Sequence, residues 1–220
     1  MTTRTRIKLC GFTRSEDIQA AVAAGADAIG LIFFSKSRRV VTRARAKALR
    51  DTVPAFVNVA ALFVNAEPEF VEDVIHTVSP DILQFHGNES PAECEQYGKR
   101  YIRAFRVGAP GMETREEVLA ECSRFGSASA WLFDSYSAGY GGSGEGFDLS
   151  LLGAVRNAAH ARPMVLAGGL SAENVGDYIR KLRPFAVDVS SGIEDAPGIK
   201  SADKIAAFAD AVRTVDCQPA

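Results

Sequence analysis

Cysteine is sparse and scattered in this chain. Cys10, Cys94, Cys122 and Cys217 form no CxxC pair, which speaks against a disulfide framework and for reduced thiols in a cytoplasmic protein. Histidine is scarcer still, and His76, His86 and His160 lack metal-ligand spacing, so no metal is expected. An excess of either charge is also missing. Lys and Arg total 25 against 27 Asp and Glu, a net charge of -2. No broad basic field exists to collect nucleic acid or an anionic membrane, so any anion must be held by a local site. Long apolar runs are absent as well. No window approaches the roughly 20 residues of a transmembrane helix. The basic start, Met1 to Lys8, lacks the apolar stretch of roughly 7–15 residues that a signal peptide needs.

A nucleotide-cofactor motif is present only in outline. Gly139-Tyr140-Gly141-Gly142-Ser143-Gly144 matches G-x-G-x-x-G, but the dinucleotide fingerprint must open a helix and be followed about 20 residues on by an acid. These glycines open no helix directly, and no Asp or Glu occurs from Leu149 to Ala172. The segment is a glycine-rich loop, and no cofactor is implied. Nor is there a linker, so residues 1–220 are expected to form one domain. The longest irregular stretch, Ser135–Phe147, has the character of a functional lid.

What the chain does contain is repetition of short apolar runs: Arg6–Cys10, Ala28–Phe34, Asn58–Val64, Ile82–His86, Tyr101–Val107, Ala130–Asp134, Met164–Ala167 and Phe185–Val189. Several are nearly continuous in apolar character, as parallel strands covered by helices on both faces are. Helical patterns lie between them. Thr13-Arg14-Ser15-Glu16 has the form of a capping box for a helix stopping at Gly25, and Ser90-Pro91-Ala92-Glu93 repeats that form with Gly98 as its stop. Other helices are expected from Glu67-Pro68, from Ser171 (with Val175, Tyr178, Ile179 and Leu182 on one face) and from about Ser201. Eight such units at roughly 27 residues each predict an α/β fold, a single-domain (β/α)8 barrel of the TIM type. An open doubly wound sheet is the alternative, since alternation alone does not prove closure.

In a barrel the site lies where strands end, and phosphate often binds after strands seven and eight. The turns there are Ala167-Gly168-Gly169-Leu170-Ser171 and Ser190-Ser191-Gly192. Small residues in both let backbone N–H groups approach an anion, although one glycine pair alone would signify only a tight turn. Cys10 ends strand one, with Lys8 and Arg6 on its face. A lone strand cysteine is ordinarily a small buried apolar group, but a thiol beside Lys8 at the catalytic end can have a lowered pKa and act as a base. Asp134 ends strand six, where it either caps the next turn or becomes a desolvated proton donor. Lys36-Ser37-Arg38-Arg39 is either solvated surface or a carboxylate grip. Gln84 and His86 share a face on strand four, and His86 fits a substrate donor or a structural group better than a proton carrier. Asp188 and Ser190 share a face on strand eight, where Asp188 either organises the barrel or touches substrate.

Taken together, these residues resemble the phosphoribosylanthranilate isomerases. Lys8-Leu9-Cys10-Gly11-Phe12-Thr13 is similar to the K-[IV]-C-G-x-T opening of that family. The likeness continues in order through Gly25–Gly30, Phe33–Arg39, Leu62–Asn65, Leu83–Gly87, Asp134, Gly141–Gly144 with Phe147-Asp148, Ala167–Leu170 with Glu173–Val175, and Arg183–Glu194. Two departures, Phe85 where leucine is usual and Leu149 where tryptophan is common, remove no chemical group. The resemblance implies a cofactor-free Amadori rearrangement of N-(5-phosphoribosyl)anthranilate in tryptophan biosynthesis. It further implies Asp134 as general acid, Cys10 as general base and Arg39 on the anthranilate carboxylate. Gln84 and His86 would contact the substrate, and its phosphate would lie on Gly168, Gly169, Ser190, Ser191 and Gly192. The substrate would be the partner, with no nucleic acid or membrane, in a monomer or homodimer. Among rivals, the histidine-pathway isomerase typically has a carboxylate where this chain has Cys10. A ribulose-phosphate epimerase needs a metal-binding histidine set, and a silent binding barrel would not need Cys10, Asp134 and Arg39 together.

Overall fold

A computed structural model describes residues 4–135 and 148–218. The glycine-rich segment 136–147, and with it the G-x-G-x-x-G match and the expected lid, lies outside the described residues. Eight parallel strands close into a barrel in sequence order. They are β1 (Arg6–Cys10), β2 (Ala28–Ile32), β3 (Asn58–Phe63), β4 (Ile82–Phe85), β5 (Tyr101–Val107), β6 (Ala130–Ser135), β7 (Met164–Leu166) and β8 (Ala186–Val189). Each lies within a residue or two of its apolar run. Closure, which alternation left open, is settled by β1 pairing with β8 as well as β2, with Lys8 opposite Asp188 and Cys10 opposite Gly30.

Helices α1 (Ser15–Ala23), α2 (Arg43–Arg50), α3 (Pro68–Val78), α4 (Pro91–Glu95), α5 (Arg115–Ser123), α6 (Gly153–Asn157), α7 (Val175–Leu182) and α8 (Ala202–Asp216) cover the strands. None of them is long and apolar enough to cross a membrane.

The alternation of strand side chains divides the interior into two compartments. Odd-numbered positions such as Ile7, Leu9, Phe63, Trp131 and Val187 pack outward with the helices into the main core. Even-numbered positions point to the barrel axis, except on β7, where Val165 points inward and Met164 and Leu166 pack outward. Ile102, Ala104, Leu132, Val165 and Ala186 fill its lower part, while Cys10, Ile32, Leu62 and Val64 form an apolar cluster higher up. Phe85 belongs to the outward set, where it packs 6.1 Å from Phe63 and 6.0 Å from Tyr97 between ring centroids. Its departure from the family pattern therefore alters helix packing and leaves the axis unchanged.

Two helix starts differ from expectation. Thr13 does not cap α1. Its hydroxyl donates to the Gly198 carbonyl at 2.5 Å, and Arg14 takes the cap position with no side-chain capping bond. The helix assigned to Ser171 begins at Val175. Asn174 first closes a turn, accepting from the Ser171 N–H and donating to the Gly169 carbonyl, both at 2.8 Å. The Ser90–Glu93 box is made as expected, and an unforeseen one joins Thr114 and Glu117 at α5. Also unforeseen is a small antiparallel hairpin after β8, from β9 (Glu194–Ala196) and β10 (Ile199–Lys200).

Candidate active site

The carboxyl ends of the strands surround a cavity with about 810 Å³ of open space. The inward positions at the strand tops supply its walls. Cys10, Gln84, His86 and Asp134 meet there with Arg39, Gly168, Gly169, Ser190 and Ser191. Gly192 stands just behind the wall. A Cβ there would lie 2.0 Å from the Leu170 carbonyl oxygen, so its glycine lets the turns after β7 and β8 pack together. Ile32, Phe34, Leu62 and Val64 form an apolar flank suited to a flat hydrophobic group.

Cys10 owes its position to Gly30 on the neighbouring strand, where any Cβ would stand 2.5 Å from the thiol sulfur. Burial pushes the thiol pKa up, and the charges of Lys8 and Lys200 do not offset it. This corrects the expectation of a lowered value. The Lys8 ammonium is committed to Asp188 Oδ2 at 2.7 Å, and both side chains are nearly inaccessible. Burial is the largest influence and disfavours the Lys8 charge, but Asp188 and Cys10 together outweigh it, so its pKa rises. Asp188 thus organises the barrel, yet its second oxygen is buried with no partner among the described residues while the residue lines the cavity.

Asp134 Oδ1 accepts from the Ser135 N–H at 2.9 Å, and Oδ2 lies 3.3 Å from His86 Nε2. His86 Nδ1 is 3.5 Å from Gln84 Nε2. The three side chains therefore form a row across the cavity from β4 to β6. Gly168 and Gly169 both take left-handed backbone angles (φ 83° and 63°), which glycine adopts at little steric cost. Gly168 also leaves no room for a side chain, since a Cβ would lie 2.8 Å from Asp134 Oδ1.

Arg39 does grip a carboxylate with two hydrogen bonds, but that carboxylate is Glu194. Nε donates to Oε1 at 2.8 Å and Nη2 to Oε2 at 2.7 Å. Glu194 also accepts from Lys200 Nζ at 2.9 Å and from the Gly198 N–H at 3.1 Å. Burial alone would raise the Glu194 pKa, but the bonds from Arg39 and the charge of Lys200 pull it below the usual carboxylate range. Neither Glu194 nor Lys200 was singled out from sequence. Glu194 closes the Arg183–Glu194 block that carries the family likeness, and nothing near Lys200 marks it.

A closed eight-stranded barrel with a thiol, a carboxyl group, an arginine and two small-residue turns around one axial cavity defines a (β/α)8-barrel enzyme, with its site in the loops after the strands. The model of the N-(5'-phosphoribosyl)anthranilate isomerase family matches residues 7–211, and the chain belongs to that family. It is an isomerase of tryptophan biosynthesis. The N-(5'-phosphoribosyl)anthranilate isomerase of Bordetella petrii is 59% identical over 213 residues, spanning 97% of each chain. The crystal structure of phosphoribosyl anthranilate isomerase from Thermotoga maritima superposes with a TM-score of 0.86 at 36% identity, covering 96% of this chain and 99% of that one. A second isomerase structure, in complex with reduced 1-(o-carboxyphenylamino)-1-deoxyribulose 5-phosphate, gives a TM-score of 0.82 at 34% identity with the same coverage.

Proposed function

We propose that this barrel, acting as one domain in the cytoplasm, performs the Amadori rearrangement of N-(5-phosphoribosyl)anthranilate with Asp134 as general acid and Cys10 as general base. The observation that carries the assignment is the meeting of these two groups around one cavity with Arg39 and the Gly168-Gly169 and Ser190-Ser191 turns. A guanidinium and two small-residue turns lining the same cavity suit a substrate that carries both a carboxylate and a phosphate. The phosphate fits the glycine turn, and the anthranilate ring fits the Ile32, Leu62 and Val64 flank. The partner is this phosphorylated small molecule, and the chemistry calls for neither nucleic acid nor membrane.

Asp134 donates a proton to the ribose ring oxygen, the ring C–O bond breaks, and the nitrogen lone pair forms a cationic Schiff base. Cys10 as thiolate then takes the proton from the adjacent sugar carbon. The C–H pair neutralises the iminium to give an enolamine, which tautomerises to the ketone. Because burial favours the protonated thiol, Cys10 must first release its proton to solvent, and the cationic Schiff base favours that thiolate as well as acidifying the neighbouring carbon. Proton transfers alone balance the reaction.

The test is a fluorescence assay of freshly generated phosphoribosylanthranilate with EDTA present. Rapid EDTA-insensitive consumption, abolished by Cys10→Ala, supports the assignment. Folded protein that binds a phosphorylated analogue without turnover would refute it.

A further inference from the structure

Glu194 occupies only one edge of the Arg39 guanidinium. It accepts from Nε and Nη2, and a guanidinium carries five N–H donors in a rigid plane. The edge formed by Nη1 and the second Nη2 hydrogen is therefore suited to another carboxylate. Glu194 itself is fixed from behind. Lys200, whose side chain is fully buried, donates to it and to the Ser190 carbonyl at 3.0 Å, and the Gly198 N–H completes the set. The stem of Arg39 passes close over Gly11, which leaves room for it by lacking the Cβ that would stand 2.6 Å from Arg39 Cδ. Thr13 ties the same hairpin to the loop after β1 through the Gly198 carbonyl.

We propose that Glu194, braced by Lys200 on the β9–β10 hairpin, is a positioning residue that aims the free edge of Arg39 at the substrate carboxylate. This rests on the reading of Arg39 as the carboxylate-binding group. The ion triad Arg39–Glu194–Lys200 has one positive charge in excess, so the site keeps its attraction for an anion while the buried carboxylate fixes the direction. A hairpin of five strand residues thereby sets where the aromatic end of the substrate lies relative to Cys10.

The experiment compares inhibition by two reduced product analogues, 1-(o-carboxyphenylamino)-1-deoxyribulose 5-phosphate and its counterpart lacking the ring carboxylate. Wild-type enzyme, Glu194→Gln, Glu194→Gln/Lys200→Met and Arg39→Ala are measured. The double variant removes both buried charges, so it remains informative where the single one fails to fold. Glu194→Gln or the double variant is expected to weaken the carboxylated analogue on the order of tenfold or more. The other analogue should shift less than about threefold, and the substrate KM should rise with kcat largely kept.

Tighter binding of the carboxylated analogue would overturn the proposal, since Glu194 would then be a competitor for Arg39. Equal effects on both analogues would also overturn it, as they would mark a merely structural role. If Arg39→Ala leaves the two analogues equally affected, the reading of Arg39 itself fails. If Arg39→Ala discriminates and the Glu194 variants do not, only the positioning role fails.

Discussion

Lys8 and Asp188 form a buried ion pair one inward position below Cys10, with Nζ 2.7 Å from Oδ2. Burial is the largest influence on the thiol and raises its pKa; Lys8 still favours the thiolate, but the charge of Asp188 opposes that effect and burial prevails. A raised pKa leaves the thiolate a minor species at neutral pH that grows as pH rises. Inactivation by iodoacetamide in a Cys217→Ser background reads the thiolate alone, because Cys217 is the exposed cysteine, and its rate should keep rising beyond the ordinary thiol range near about 8.5. A midpoint near neutrality would contradict this account.

Asp134 lies between the Ser135 N–H and His86, and it lines the same cavity as Cys10. Cys10→Ala and Asp134→Asn should each lower kcat by about 10²–10⁴, the usual contribution of a positioned acid or base. Steady-state kinetics on folded variants decides the matter, and near-wild-type turnover in either would remove that residue from its role. Arg39→Ala should chiefly raise KM, since a carboxylate held alike in ground and transition states contributes uniform binding.

The barrel was legible because its strands are buried on both faces, so runs such as Ile29–Phe34 carry an apolar signal without alternation. The site was legible because the fold places chemistry at strand ends, where Cys10, His86, Asp134 and Ser190 fall. What escaped notice depends on contacts between distant segments. Thr13 has the form of a helix cap, yet its hydroxyl meets a carbonyl 185 residues away. Strands of two and three residues are too short to show periodicity, so the hairpin bearing Glu194 and Lys200 gave no pattern to detect. Lys8 beside Cys10 suggested an activated thiol, and only the register of β1 against β8 reveals that Asp188 claims its charge.

Gly168 offers a test of how tightly the phosphate-side turn is coupled to the acid. Its φ of 83° disfavours any L side chain, and an added Cβ would lie 2.5 Å from the Ser135 nitrogen and 2.8 Å from Asp134 Oδ1. Left-handed backbone costs a non-glycine residue about 1–2 kcal/mol, and the close approach must also displace Asp134. Gly168→Ala should therefore reduce kcat as well as raise KM, with kcat/KM falling at least about tenfold. A change in KM alone would show that the turn and the acid move independently.

The loop carrying His86 is held by a buried carboxylate remote from the chemistry. Glu89 accepts from the Asn65 N–H at 2.6 Å, the Gly87 N–H at 2.9 Å and Arg103 Nη1 at 2.8 Å, while Arg103 Nη2 donates to the Gly87 carbonyl at 3.0 Å. Both charged side chains are only 7% exposed, so neither can turn to water if its partner is lost. Glu89→Gln keeps the shape but removes the charge facing Arg103. Breaking one side of a buried pair is costly because the remaining ion stays desolvated, so the loss should approach about 3–5 kcal/mol. Denaturant titration should show a lower midpoint with an unchanged slope. A loss under about 1 kcal/mol, the scale of an exposed ion pair, would mean that water reaches Arg103 and that the pair does not anchor the His86 loop.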